Sequence, residues 1–218
     1  MELSNKKINF LGDSITEGYG TSAGAASTFW NILGQRTGAI VRGYGIGGTR
    51  IAAQRNRQNP EWDDNDFLSR VEKMDPDADV IVVFGGTNDY GHGDAPFGTE
   101  NDRGSDTFYG ALHMLCRSLI ERYPQATIVL MTPLHRLDEC LVVNECGVRN
   151  VAMLADYVEA ERKVAAYYSI PVLDLYRVSG LQPAVEALRE QYMPDGLHPN
   201  DVGHERIADR LIGFLSAL

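Results

Sequence analysis

Residues 10–18, Phe10-Leu11-Gly12-Asp13-Ser14-Ile15-Thr16-Glu17-Gly18, join a strand-like apolar run to a hydroxyl placed as a nucleophile would be. Ile8, Phe10 and Leu11 give Lys6 to Leu11 the character of a central strand, and Gly12 breaks the ladder so that the chain can turn sharply. Ser14 then stands just past a strand's carboxyl end. In open α/β sheets ligands bind at that edge, and a serine opening the next segment can aim its own backbone N–H at a substrate oxygen. Gly, Asp and Ser are also ordinary turn formers, so the tripeptide taken alone is equally a turn.

Outward from this stretch, short apolar runs alternate with longer helical patterns, the signature of a parallel sheet covered on both faces. The expected strands are Lys6 to Leu11, Ala39 to Arg42, Val80 to Phe84, Thr127 to Met131 and Pro171 to Leu175. A helix is expected over Asp106 to Tyr123, with Phe108, Leu112, Leu115, Leu119 and Ile120 on its apolar face and Pro124 ending it. Others are expected over Arg149 to Tyr168 and Asp201 to Leu218, the last turning Val202, Ile207, Ala208, Leu211 and Leu215 toward the sheet. Three loops, Gly43 to Arg50, Gly85 to Gly98 and Pro133 to Val148, each follow a strand and should emerge at the same edge as Ser14.

The 218 residues are read as one domain, 1–218, with no linker, repeat or low-complexity tract. A formal charge of −10 repels phosphate backbones and anionic membrane surfaces, so neither a nucleic acid nor a membrane is expected as partner. Neutral or cationic small molecules are easier to accept. Cys116, Cys140 and Cys146 are odd in number and form no C-x-x-C pair, which fits reduced thiols, with Cys116 in the core, better than a disulfide frame or zinc site. Met1 to Lys7 is polar and the apolar run after it is too short for a signal-peptide core, so the expected location is cytoplasmic. The oligomeric state is not encoded in any feature of the chain.

A serine nucleophile needs a base within hydrogen-bond reach and a third group to orient that base. Asp195-Gly196-Leu197-His198 offers both in a segment too rich in Pro and Gly to be helical. Asp201-Val202-Gly203-His204 repeats the spacing, but inside the last helical pattern and on its core-facing stripe, so His204 is read as a buried structural histidine and His198 as the base. Acyl transfer also needs donors preset around the developing oxyanion. Gly47-Gly48 can bring a backbone N–H close, and Asn88 in Phe84-Gly85-Gly86-Thr87-Asn88-Asp89 can point an amide inward. Read singly, the glycines could only make a turn and Asn88 could only cap a loop.

Together these pieces resemble the SGNH (GDSL-like) hydrolase family, whose motifs occur in this order. Gly12 to Gly18 is similar to the first block, with Ser14 as nucleophile and its N–H in the oxyanion hole; Tyr44 to Thr49 is similar to the second, which puts the glycine donor at Gly48. Gly85 to Asp89 is similar to the third, with Asn88 as side-chain donor, and Asp195 to Pro199 to the last, with His198 as base and Asp195 as its partner. The resemblance runs from about Ile8 to Gly203. It implies a flavodoxin-like three-layer α/β/α sandwich around a five-stranded parallel sheet, serine esterase chemistry on a small ester, and no metal or organic cofactor.

Two other classes compete. Gly43-x-Gly45-x-x-Gly48 matches a dinucleotide fingerprint, but that motif needs a helix opened by the glycines, whereas Thr49 to Asn59 is polar and basic and Asp66 opens the next helical stretch. A binding module on the same fold would have no use for a complete set of catalytic residue types. The acidic clusters Asp63-Asp64-Asn65-Asp66 and Glu100-Asn101-Asp102 lack the glycine and terminal glutamate of a calcium loop and read as solvated faces. Candidate pocket walls are Tyr19, Tyr90, His92 and Phe97, with His135 to Val143 as a lid. The charge balance favours small neutral esters, such as O-acetylated sugars, over phospholipids.

Overall fold

A computed structural model describes residues 1–55, 65–145 and 147–218. Asn56 to Asn59, Asp63, Asp64 and Cys146 lie outside the described residues. Among those described, five parallel strands form one sheet in the order β2-β1-β3-β4-β5, with β1 Lys7–Gly12, β2 Ile40–Gly45, β3 Val80–Phe84, β4 Thr127–Met131 and β5 Val172–Leu173. Gly12 pairs in register with Gly45 on one side and Phe84 on the other, and Phe84 with Met131, so the carboxyl ends of four strands are level.

Strand β3 is buried at every position, because helices cover both faces of the sheet; hence the unbroken run of Val, Ile and Phe rather than an alternation. Its residues divide by parity. Val80, Val82 and Phe84 join Ile8 and Phe10 of β1 in one core, against α2 (Phe29–Thr37) and α9 (Asp201–Ala217). Ile81, Val83 and Leu11 face the other core, with α3 (Phe67–Arg70), α5 (Phe108–Arg122) and α6 (Leu154–Tyr167). The short helices α1 (Ser14–Glu17), α4 (Thr87–Gly91) and α7 (Leu175–Val178) each start just past a strand, and α8 (Glu186–Tyr192) precedes α9. This is the three-layer α/β/α architecture that the alternating pattern implies.

The boundaries differ where side chains compete for the backbone. Helix α6 begins at Leu154 rather than near Arg149, because Arg149 pairs with Val143 in an antiparallel bridge and the Asp156 carboxylate accepts the Met153 N–H at 2.7 Å. Strand β5 ends at Leu173, since Asp174 is the N-cap of α7 and its carboxylate accepts from Arg177 N–H. Gly43 to Gly45 belong to β2 and not to the loop after it, so the dinucleotide-like glycine spacing makes no turn that opens a helix. Val202 and Ile120, expected in the core, are respectively 46% and 37% exposed, one position outside their buried stripes. Asp102 is not merely solvated: it accepts hydrogen bonds from Thr99 and from the Thr107 hydroxyl, closing the turn before α5. No helix among the described residues is long and apolar enough to cross a membrane.

His204 is fully buried on α9, its ring parallel to that of Phe29 at 5.9 Å. Its Nδ1 accepts the Phe29 backbone N–H at 3.1 Å, so a side chain of α9 caps the first turn of α2, where the Thr28 hydroxyl is turned back to Ala25 O. An accepting Nδ1 puts the proton on Nε2, which has no hydrogen-bond partner among the described residues. Burial, outweighing the nearby Asp201 carboxylate, pushes the imidazole down to about 4. An unfolded ring titrates near pH 6.5, so below that value the unfolded chain takes up a proton that the folded one refuses. Stability therefore falls as pH falls from about 6.5 to about 4, by up to about 3 kcal/mol. We expect His204→Gln to flatten that limb when its melting curve is subtracted from the parent's across this window, and His204→Ala to cost about 1 to 3 kcal/mol at pH 7. A difference curve without slope would mean that the ring titrates alike in both states.

Candidate active site

The end of β1 and the start of α1 fix Ser14. A Cβ on Gly12 would collide with the Thr16 side chain, so only glycine lets the chain turn this tightly, and the Asp13 carboxylate caps α1 by accepting the Ile15 N–H at 3.0 Å. Ser14, the first residue of α1, has a backbone N–H without an intrahelical partner and a side chain facing the sheet edge. Its Oγ lies 3.0 Å from His198 Nε2, and His198 Nδ1 lies 2.7 Å from Asp195 Oδ2. Because an ionised carboxylate only accepts, Nδ1 carries the proton and Nε2 is left as an acceptor toward the serine hydroxyl.

The segment before α9 holds this pair in shape. Asp195 Oδ1 accepts the backbone N–H groups of Leu197 at 2.9 Å and His198 at 2.7 Å, a tight turn that presents Oδ2 to the imidazole. Burial raises the Asp195 carboxyl, but its hydrogen bonds from His198 and Leu197 outweigh that and hold it below the ordinary carboxylate value. Gly196 has φ +80° and a Cβ there would lie 2.7 Å from Leu137 Cβ, while its carbonyl accepts Leu137 N–H at 2.7 Å; the loop after β4 thus braces the turn. The Tyr19 ring lies tilted against that of His198, ring centroids 4.4 Å apart.

Across from Ser14, the loop after β2 is pinned at nearly every residue. Gly47 gives its N–H to the Glu17 carboxylate at 2.8 Å, and the Gly48 N–H, at φ +73°, has no partner among the described residues. Asn88 on α4 donates from Nδ2 to Thr49 O at 2.9 Å, which orients the amide and leaves its second N–H for another acceptor. The neighbouring Asp89 accepts from Ile51 and Ala52 N–H, both at 2.9 Å; burial pushes its carboxyl up to about 6 against the pull of those two bonds.

Ser14, Gly48, Asn88, His198, Tyr19 and His92 line one pocket of about 390 Å³, together with Glu17, Gly47, Arg136, Glu145 and Leu197. Asp195 stands behind His198, outside its lining. Burial and the adjacent Arg50 guanidinium push His92 down to about 4, so this imidazole is neutral and its Nδ1 accepts from Arg50 Nη1 at 3.2 Å. Three expected walls lie elsewhere. Tyr90 is fully buried, its hydroxyl donating to Asp138 O and accepting from Leu141 N–H, so it anchors the loop after β4 from below. Phe97 packs against Phe108, Tyr109 and Tyr157 in the core, and His135 pairs with Glu139 and Tyr176. Aromatic residues on loops at the active edge are not all drawn into the pocket, because Tyr90 and Phe97 pack against Tyr157 in the core beneath the loops. Glu17, Asp89, Arg136 and Glu145 escaped notice in the sequence. Glu17 and Asp89 sit inside the motifs themselves, whereas Arg136 and Glu145 reach the pocket only through the folding of a long loop, where Arg136 Nη2 donates to Glu145 at 2.9 Å.

A sequence model described as the GDSL-like Lipase/Acylhydrolase family matches residues 10–206. No curated protein matches the chain. Among solved structures, a protein of Lactobacillus plantarum is 33% identical with a TM-score of 0.82, the alignment covering 98% of each chain. The lipase/acylhydrolase of Enterococcus faecalis, 21% identical, shares the fold with a TM-score of 0.67 over 97% of this chain and 96% of its own. A family match that begins in β1 and ends within α9, enclosing every residue just described, means that this chain belongs to the GDSL-like lipase/acylhydrolase family.

Proposed function

We propose that the protein is a serine esterase that hydrolyses small carboxylic esters, with Ser14, His198 and Asp195 as a catalytic triad and Ser14 N–H, Gly48 N–H and the Asn88 amide as the oxyanion hole. The observation that carries this reading is the unbroken chain Ser14 Oγ, His198 Nε2, His198 Nδ1, Asp195 Oδ2, with links of 3.0 and 2.7 Å, opening on a pocket whose opposite wall holds uncommitted N–H donors. Ser14 attacks the ester carbonyl carbon while His198 Nε2 takes the hydroxyl proton, and Asp195 stabilises the imidazolium. The carbonyl oxygen, now negative, receives hydrogen bonds from the three donors. His198 returns the proton to the departing alcohol, leaving an acyl-serine. Water then enters, gives its proton to His198, and the second collapse releases the carboxylic acid and restores Ser14. Apart from the substrate and that water, every step uses groups of the protein.

The walls of the pocket are mainly apolar surface, into which Glu17, Asn88, His92, Arg136, Glu145 and His198 bring the polar groups. A pocket of about 390 Å³ suits a short acyl group, and the formal charge of −10 favours a neutral ester, as in O-acetylated carbohydrates, over a phospholipid.

Ester hydrolysis should need no added metal, should be fastest on short acyl chains in a p-nitrophenyl ester series, and should be lost on treatment with a fluorophosphonate. Ser14→Ala should lower kcat by roughly four orders of magnitude, since only binding and the oxyanion donors would remain; turnover at the parent rate in that variant would reject the mechanism. His198→Ala should lose a similar factor with the melting temperature nearly unchanged. For Asn88→Ala the expected loss is about 3 kcal/mol of transition-state stabilisation, a hundredfold or more in kcat, with KM little altered. A rise confined to KM would make Asn88 a substrate-binding residue instead.

A further inference from the structure

Arg70, at the end of α3, is 3% exposed and its guanidinium reaches the underside of the site. Nη1 donates to Gly12 O at 3.1 Å and to Tyr44 O at 2.6 Å, and Nη2 donates to Thr49 Oγ1 at 3.0 Å. Nε points to Asp66 O at 3.4 Å, and the guanidinium carbon lies 4.8 Å over the Phe67 ring. These acceptors are not a random set. Gly12 is two residues before Ser14, Tyr44 is the second-to-last residue of β2 before the glycine loop, and Thr49 directly follows Gly48. Thr49 O, in turn, is what holds the Asn88 amide.

We propose that Arg70 is a positioning residue that sets the spacing of the oxyanion hole, an inference that rests on the serine esterase reading above. The donors assigned to that hole come from three separate segments: the start of α1, the loop after β2, and α4. Backbone hydrogen bonds fix β1 against β2 only as far as Ile46, whose N–H reaches Gly12 O at 3.2 Å, two residues short of both Ser14 and Gly48. Past that point the Glu17 carboxylate ties the loop to α1 through Gly47 N–H, and from the other side a planar cation with donors at fixed angles joins the two segments. Gly12 and Tyr44 are gripped by one nitrogen and Thr49 by the other, so Ser14 N–H and Gly48 N–H cannot slide relative to each other without breaking a charge-assisted bond. Through Thr49 the constraint passes to Asn88. A shift of an ångström at such donors is enough to lose much of their effect on the transition state while leaving ground-state binding alone. Burial lowers Arg70 to about 10, the Asp13 and Asp66 carboxylates opposing it, so the group stays cationic at neutral pH and its grip is not titrated away. Lysine offers its donors from a single point and cannot span the three acceptors.

The test compares Arg70→Lys, Arg70→Met, Thr49→Val and Thr49→Ser with the parent. Functional sites are first counted by titration with a fluorophosphonate, and kcat and KM for p-nitrophenyl acetate are then expressed per titrated site. Affinity for a boronic acid, whose adduct with Ser14 places an oxyanion in the hole, is measured beside affinity for acetate, the product. We expect Arg70→Lys to lower kcat about a hundredfold and to weaken the boronic acid by a similar factor, with KM and acetate affinity within about threefold of the parent. Thr49→Val, which removes only the Nη2 link and the Thr49 to Ile46 bond, should lose about tenfold in the same two quantities, and Thr49→Ser should recover most of it. Should the Arg70 variants fail to fold, the two Thr49 variants decide by the same measurements. Parent-like kcat and boronic acid affinity per titrated site in Arg70→Lys and Thr49→Val would overturn the proposal and leave the esterase reading intact. A parent enzyme indifferent to the fluorophosphonate, or an active Ser14→Ala, would overturn both.

Discussion

In a parallel sheet every strand ends at the same edge, and the register of this one makes that edge level: Gly12, Gly45, Phe84 and Met131 lie side by side. The proposed nucleophile and oxyanion donors depend on this constraint. Ser14, Gly48 and Asn88 follow β1, β2 and β3 by two to four positions, so a slip of one residue between neighbours would move a donor by about 3.3 Å and turn its side chain to the opposite face. The register is in turn held by burial on both faces. Val80, Val82 and Phe84 cannot exchange places with Ile81 and Val83 without emptying one core and overfilling the other.

A level edge leaves backbone groups of the loops above it to be satisfied, and the sequence meets that need with charged side chains taken out of water. Arg70 covers two carbonyls and a hydroxyl, Asp13 and Asp89 accept from backbone N–H groups, and Glu161 on α6 lies against Gly86, where a Cβ would occupy its place. Burial pushes all three carboxyls upward, Asp13 to about 7, Asp89 to about 6 and Glu161 well above the ordinary glutamate value. One oxygen of Glu161 has no hydrogen-bond partner among the described residues, which fits a carboxyl kept neutral by its surroundings. These groups show that the floor of the site is polar and dry, the setting in which fixed dipoles act most strongly on a developing charge.

How much of this could be read in the chain follows from how local each feature is. The strand at Lys7–Gly12, the turn at Gly12 and the helix that Asn200 caps are written in a few consecutive residues, and so is the distinction between His198, ahead of that cap, and His204, beyond it. The start of α6 was misplaced because Arg149 is held by a partner six residues back rather than by its own propensity. The pocket walls were legible only in part. Tyr19 lies five residues after Ser14 and His92 four after Asn88, whereas Phe97 and Tyr90 were claimed by the aromatic cluster around Tyr157, sixty or more residues distant in sequence. Arg70 gave no local signal at all: a lone arginine in a short helix becomes informative only when three carbonyl and hydroxyl oxygens from two other segments are found around it.

The contact between α9 and α2 has a temporal side. Ser14 is made among the first residues of the chain and His198 among the last, 184 positions later. The joint that brings them together is the docking of α9, where His204 takes the Phe29 N–H and the ring of one stacks on the ring of the other. On the serine esterase reading proposed above, the serine would have no base beside it for most of the time that the polypeptide is growing and would be chemically an ordinary hydroxyl. On that reading reactivity would arrive only once the segment carrying His198 has been made and α9 has docked, so the chain would carry no working nucleophile before then.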